Sequence, residues 1–422
     1  VDSHRSPSPP PDAVPAPGAI TFRDDVLVDS LPAAAWNSLA PGQPLLSHAL
    51  FTALHGSGCA SQRTGWRPRF LTGWRSERLV AALPLYEKTH SYGEYVFDWA
   101  WADFYRRNGA AYYPKLVAAV PFTPATGPRL LVAAGESPEP LLENALRRLR
   151  EPRPDEVRGS SLHLLFITAA EADLCTRLGM SVRRGLQFHW TNPGYRDFDD
   201  YLAAFNHDRR KKIRQERRKL AAAGVTFERK TGEAILPEDW AHFHRCYENT
   251  YHAHGSTPYL DLAFFRRLGE AMPEALLLIV GRRNGVPVCA ALDVFGDGAL
   301  WGRHWGATEP FPGLHFEACY YQAIEFCIER GIARFEGGAQ GLHKLARGLL
   351  PVPTYSAHAV ADARFAPAIA DFCARERASV AAAQEELTLA APLRHRGEPD
   401  RQEAGGADGL VIDITGPADR EP

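Results

Sequence analysis

Methionine is scarce, with two in 422 residues. Long apolar runs are missing altogether. No stretch reaches the ~20 residues that a membrane-spanning helix needs, so no integral membrane segment is expected. The N-terminus has no apolar core of the signal-peptide kind. Charge of one sign is lacking too, the formal net charge being −2. That argues against a protein that coats nucleic acid with its whole surface and leaves room for a local basic groove. The seven cysteines, Cys59, Cys175, Cys246, Cys289, Cys319, Cys327 and Cys373, are odd in number, scattered and without a CxxC pair. Such usage speaks against a disulfide framework or a zinc ribbon and leads us to expect a cytoplasmic protein. The P-loop signature GxxxxGK[ST], the hydrolase GxSxG and the zinc-peptidase HExxH are all absent.

What is present supports a folded enzyme-sized chain. The sequence is 45% hydrophobic and 23% charged, enough to bury sizeable cores. Residues 1–18 form a Pro- and Ser-rich tail, expected to be disordered. Residues 393–422 are rich in Gly, Asp, Glu and Pro and are expected to be disordered or extended. Between them two halves, 19–195 and 196–392, repeat one pattern. In the first, strands are expected over Arg69–Trp74, Leu79–Tyr86 and Glu94–Trp99. A helix over Glu139–Arg150 follows, with Leu141, Leu142, Ala145, Leu146 and Leu149 on one face. Ser161–Ile167 reads as a buried strand and Ala169–Leu178 as a short helix. In the second half Ala275–Arg282, Val286–Phe295 and Ala299–Trp305 read as strands. Asn284-Gly285 makes a hairpin turn, and Gly296-Asp297-Gly298 makes the next turn. Phe316–Arg330 is a helix ended by Gly331, and Ala333–Phe335 begins another strand. Antiparallel meander, helix, strand is the core order of the GNAT fold, so the expected class is α+β with two tandem GNAT-like domains.

Three segments can carry chemistry. A polar helical segment, Phe198–Ala223, contains His207–Lys219 with eight Lys or Arg against two acids. Leu202, Ile213 and Leu220 share one helical face, and Lys211, Arg214 and Arg218 the opposite one. It is either a solvated surface helix or a phosphate-contacting surface, with Arg209, Arg210, Lys211, Lys212 and Arg214 as contacts. The second segment runs from Gly302 to Gly306 and from Leu314 to Tyr321, joining a strand end to a helix start. Backbone N–H groups gather at such a junction and can hold phosphate or an oxyanion. Tyr320 and Tyr321 can equally be core. His315 and Cys319 have metal-ligand spacing without further ligands nearby, so no metal is expected. The third, Phe335–Gly348, ends a strand in Glu336, turns through Gly337, Gly338 and Gly341, and then presents His343, Lys344 and Arg347.

The strings YYPKL (112–116), PFTPATGPRLL (121–131), LWGRHWGA (300–307), LHFEACYYQAIEFCIERG (314–331) and FEGGAQGLHKLARG (335–348) resemble a bacterial family described as GNAT-like peptidoglycan biosynthesis or recognition proteins. That family is related to the Fem-type aminoacyl transferases, and the resemblance runs from about residue 30 to about 395. The basic run 209–225 is similar to the helix that opens the second Fem domain, and Glu336 and Lys344 align with a motif of that domain. The resemblance implies N-acyl transfer to an amine of a small molecule or peptide, with no tightly bound cofactor. The donor would be aminoacyl-tRNA, making tRNA a partner, or acyl-CoA. Proton carriers would be His304, His343 and Glu317. Anion holders would be Lys344, Arg347, Tyr320 and amides near Gly337, with Glu336 as an orienting acid. The alternatives are an acyl-CoA-dependent transferase of small molecules and a non-catalytic module for a cell-wall peptide or nucleotide-linked precursor. Two departures stand out. Leu342 fills a place where the family is expected to carry an acid. The GNAT pyrophosphate loop is replaced by ATEPFPGL (307–314), which disfavours acetyl-CoA as donor.

Overall fold

The computed structural model describes residues 18–152, 159–339 and 341–393. Apart from Gly18 and Leu393, the two expected tails lie outside the described residues. The first half supplies β1 (Thr21–Val26), β2 (Trp66–Pro68), β3 (Phe70–Arg75), β4 (Arg78–Leu83), β5 (Leu85–Lys88), β6 (Lys115–Ala118), β7 (Leu131–Val132), β8 (Ser161–Ile167) and β9 (Ser181–Thr191). The second supplies β10 (Val225–Thr231), β11 (Leu276–Arg283), β12 (Val286–Gly296), β13 (Ala299–Ala307), β14 (Arg334–Glu336) and β15 (Leu350–Val360). Helices flank the sheets, so the architecture is α+β.

Local chemistry sets most of these elements. Asn284 and Gly285 have φ of 50° and 83°, and Asp297 and Gly298 have 48° and 68°. Positive φ at both central residues is what a tight hairpin requires, so β11, β12 and β13 form an antiparallel meander. Gly331 ends the helix after β13 with φ of 65°. The helix Glu139–Arg150 buries the five apolar residues expected of it. Each such Leu contributes on the order of 1.5–3 kcal/mol.

Two sheets result, a small one of order β1-β3-β4-β7 and a large one of order β10-β11-β12-β13-β14-β9-β15-β8-β6-β5-β2. The expected strand Leu79–Tyr86 is split at Pro84, which has no N–H to give a ladder. Its two parts, β4 and β5, enter different sheets. In each half one parallel pair closes the meander, β6 with β8 and β13 with β14. The halves then trade their last strands. β9, which follows β8 in the chain, pairs with β14, and β15, which follows β14, pairs with β8. β9 and β15 also pair with each other from Leu350 against His189 to His358 against Ser181. In the large sheet the first-half meander is β2, β5 and β6, not the expected strands 69–74, 79–86 and 94–99, and strand exchange fuses the two halves into one sheet.

Two local expectations are corrected. Glu94–Trp99 is not a strand: Glu94–Asp98 is irregular chain that bends at Tyr95 and Val96, and Trp99–Arg107 is a helix. An extended chain would hold Glu94 and Asp98 about 13 Å apart. The bend instead brings both carboxylates to the buried Lys115 ammonium, Glu94 at 2.8 Å. Phe198–Ala223 is not one helix but two, Phe198–Ala203 and His207–Ala222. Asn206 starts the second by accepting a hydrogen bond from Arg209 N at 3.0 Å.

Candidate functional site

β13 and β14 run side by side only from Ala299–Trp301 against Arg334–Glu336. Beyond that point β13 continues to Ala307, while the chain after Glu336 turns away through Gly337 and Gly338. Gly338 has φ of 77°, open to glycine and costly for other residues. The divergence leaves a wedge, and a cavity of about 320 Å³ fills it. Its walls are Gly302–Trp305 of β13, Gly337–Ala339, and His343 and Lys344 from a 3₁₀ turn, Leu342–Arg347. His315, Cys319 and Tyr320 come from the helix that follows β13, and Tyr247 and Tyr251 from the helix Pro237–Ala253. The first half adds Tyr95 and Pro124.

Two backbone irregularities shape this wedge. The β12–β13 register slips between Leu292 and Asp293, leaving Arg303 as the extra residue of a bulge. The Arg303 guanidinium leaves the sheet and donates to Phe122 O and, at 3.1 Å, to Thr123 Oγ1. It thereby ties the segment bearing Pro124 to the second half. The helix after β13 widens to a π-turn over Glu317–Tyr321, which re-aims Cys319 and Tyr320.

Lys344 is almost fully buried. Its Nζ donates to Gly338 O at 3.0 Å and to Ala339 O at 2.8 Å. Burial without a carboxylate partner pushes its pKa down to about 7. At neutral pH it is therefore shared between ammonium and neutral amine, where the sequence reading makes it an anion holder. A neutral amine has two N–H groups, and two carbonyls engage them, so the lone pair remains to accept a proton. His343 Nε2 lies 2.9 Å from the Tyr320 hydroxyl. Burial first, then the charges of Lys344 and Arg347, lower the His343 pKa to about 4. His343 was expected to exchange protons near neutral pH, and its surroundings remove it from that range. His304 is held well below the usual histidine value by burial and by Arg303. Both rings are neutral at neutral pH.

Of the residues singled out from sequence, His304, Tyr320, His343 and Lys344 meet at the cavity. Glu317, Glu336 and Arg347 are not among its lining residues. Glu317 turns toward the basic helix, accepting from Arg217 Nε at 3.0 Å and Gln322 Nε2 at 2.7 Å. Glu336 is buried beside Arg334, at 3.1 Å, and His189, at 3.8 Å. Arg347 donates to His343 O at 2.7 Å and stacks 3.4 Å from the Phe316 ring centroid, so it braces the 3₁₀ turn. Leu342 packs against the apolar core of the second half.

Asp293 was missed. It lines the cavity, is buried, and its Oδ2 has no hydrogen-bond partner. Its sequence setting, one acid inside the apolar run 288–295, was the available signal.

The basic helix borders a separate groove of about 420 Å³, lined by Arg210, Lys211, Arg214 and Arg218 with Asp199, Ala203 and His207. Arg214 is paired with Asp199 at 2.9 Å. Arg209 and Lys212 are not among its lining residues. Ile213 and Leu220 face the core, as the spacing predicts. Among the described residues no group of three or more His, Cys, Asp or Glu could hold a metal ion, and no helix is long and apolar enough to cross a membrane.

Residues 27–395 match the FemAB-like family, described as peptidoglycan biosynthesis/recognition. Among solved structures, FemX is similar at 12% identity over 79% of this chain and 96% of its own, with a TM-score of 0.48. L-PGS from Bacillus licheniformis is similar at 11% identity over 78% of this chain and 95% of its own, TM-score 0.46. A tandem GNAT protein from the clavulanic acid biosynthesis pathway is similar at 10% identity over 82% of this chain and 99% of its own, TM-score 0.41. No curated protein sequence matches.

Proposed function

The chain belongs to the FemAB-like family of peptidoglycan biosynthesis/recognition, and from that premise we propose that it transfers an acyl or aminoacyl group from an activated donor to an amine in the cavity around Lys344. The observation that carries this reading is the Lys344 amine itself, buried in a ligand-sized cavity, with both neutral N–H groups bound to Gly338 O and Ala339 O. A module that only recognises its ligand has no need of such a base.

In this reading the acceptor nitrogen attacks the carbonyl carbon of an ester or thioester. A C–N bond forms and the carbonyl electron pair moves to oxygen. Lys344 Nζ takes the proton that the nitrogen must lose. The tetrahedral intermediate collapses, the C–O or C–S bond breaks, and Lys344 returns the proton to the leaving oxygen or sulfur. The Tyr320 hydroxyl, oriented by His343, is a neutral donor at the same cavity.

The basic groove supports a donor that carries phosphates, aminoacyl-tRNA ahead of acyl-CoA, since the pyrophosphate loop is replaced by ATEPFPGL. The family description supports a cell-wall peptide as the amine acceptor. The test supplies aminoacyl-tRNA and acyl-CoA donors, labelled in the acyl group, with peptidoglycan-precursor peptides. Label moving to the peptide amine, with release of the free carrier, supports transfer. Bound peptide with no label transfer from any donor supports a recognition module instead.

A further inference from the structure

Asp293 projects from β12 beneath the π-turn of the helix that follows β13. Its neighbours on the same face, Cys289, Ala291 and Phe295, pack into the core under that helix. Asp293 alone on this face is polar, and it lines the cavity. One carboxyl oxygen is served by the Arg303 backbone N–H, while Oδ2 has no partner at all. The Arg303 guanidinium favours the ionised form but makes no ion pair with it, its N–H groups going to Phe122 O and Thr123 Oγ1. A buried carboxylate left in this state would be costly, and a carboxylic acid is not.

We propose that Asp293 stands in the cavity wall as a neutral acid whose carboxyl proton is donated in a hydrogen bond to the acyl oxygen of the substrate. This inference rests on the acyl-transfer reading above and names a second catalytic group for it. Burial raises the Asp293 pKa well above the carboxylate range, with the Arg303 N–H and charge opposing. Burial likewise lowers Lys344. Asp293, Cys319 and Lys344 line one cavity, and the Cys319 thiol is within electrostatic reach of the other two. An acid pushed up and a base pushed down in one cavity are the two roles that amide formation needs. The Asp293 proton stays on Asp293 throughout. The carbonyl gains electron density as the C–N bond forms, and the hydrogen bond donated by the Asp293 carboxyl strengthens with it. Lys344 carries the only proton that moves from nitrogen to the leaving group.

A neutral donor recognises an uncharged carbonyl, whereas an ionised Asp293 would recognise an ammonium. Binding of N-butylacetamide and of n-butylammonium, followed by the fluorescence of the cavity residue Trp305 and by saturation-transfer NMR, separates the two without needing turnover. The amide should bind the wild type at least about tenfold more tightly than the ammonium. Asp293→Asn keeps an N–H donor and should hold amide affinity within about threefold, while Asp293→Leu should lose about tenfold or more. Tighter binding of the ammonium, abolished by Asp293→Asn, overturns the inference, and so does an amide affinity untouched by Asp293→Leu. A protein that shows the expected binding pattern yet transfers no acyl group contradicts the transferase reading alone.

Discussion

His163 Nδ1 lies 2.6 Å from His358 Nδ1, joining β8 of the first half to the exchanged strand β15 of the second. The outer nitrogens are engaged as well, His163 Nε2 with Ser161 at 2.6 Å and His358 Nε2 with Ser356 at 2.9 Å. Two neutral rings satisfy this chain, one Nδ1 giving its proton to the other. A second proton would set two N–H groups against each other. Burial, then the Lys115 charge, lowers His163 to about 3, and burial holds His358 well below its ordinary value.

The linkage has a definite sign. Below about 6.5 the unfolded histidines take up protons that the folded ones refuse, so stability is full above 6.5 and falls as pH drops toward about 3. His189, also lowered to about 3, and His55, lowered to about 4, act in the same direction. Thermal unfolding across this window should show a steadily falling Tm, with a shallower slope in His358→Asn. A Tm that is level from pH 6.5 to 4 would contradict the neutral pairing.

Gly306 fixes how closely the helix Pro237–Ala253 approaches β13. A Cβ there would stand 1.8 Å from Cys246 O and 2.2 Å from its carbonyl carbon. Backbone cannot swing aside as a side chain can, so Gly306→Ala should cost about 3 kcal/mol or more. Denaturant unfolding checks this, and an unchanged midpoint would show that the helix is free to shift.

Charge reversal at Lys211 and Arg214, which line the basic groove, should weaken binding of a tRNA donor. Each lost phosphate contact should reduce the slope of log affinity against log salt by about 1. Affinity and salt slope both equal to wild type would leave the helix as a solvated surface.

Much of the fold was legible because short-range rules set it. The Asn284-Gly285 hairpin, the Gly331 cap and the Glu139–Arg150 stripe all follow from residues close in sequence. The strand exchange was not legible, since β9 and β14 meet across about 145 residues of chain, as Trp190 pairs with Phe335. Glu94–Trp99 is rich in the strand formers Tyr, Val, Phe and Trp, and tertiary ion pairing with Lys115 overrides that propensity. The turn holding His343 and Lys344 was found by its residue types. Their protonation was not, because burial supplied by distant elements decides it. Asp293 escaped notice because the bulge at Arg303 and the π-turn above it shape the cavity, and local sequence shows only one acid inside an apolar run.

The most direct measurement is the rate of acyl transfer against pH for wild type, Lys344→Met and Lys344→Arg, with folding checked by circular dichroism. Lys344 titrates near 7 through burial, so the wild-type rate should rise with pH through about 7 and level above it as the proton-accepting form fills. Lys344→Met should lose about 10²–10⁴ in turnover, the share of a positioned base. Lys344→Arg keeps the charge but cannot be deprotonated, so it should be as slow as Lys344→Met. An arginine variant that retains most of the activity, with a wild-type rate unchanged through pH 7, would show that Lys344 serves as a fixed charge and contradict its role as the base.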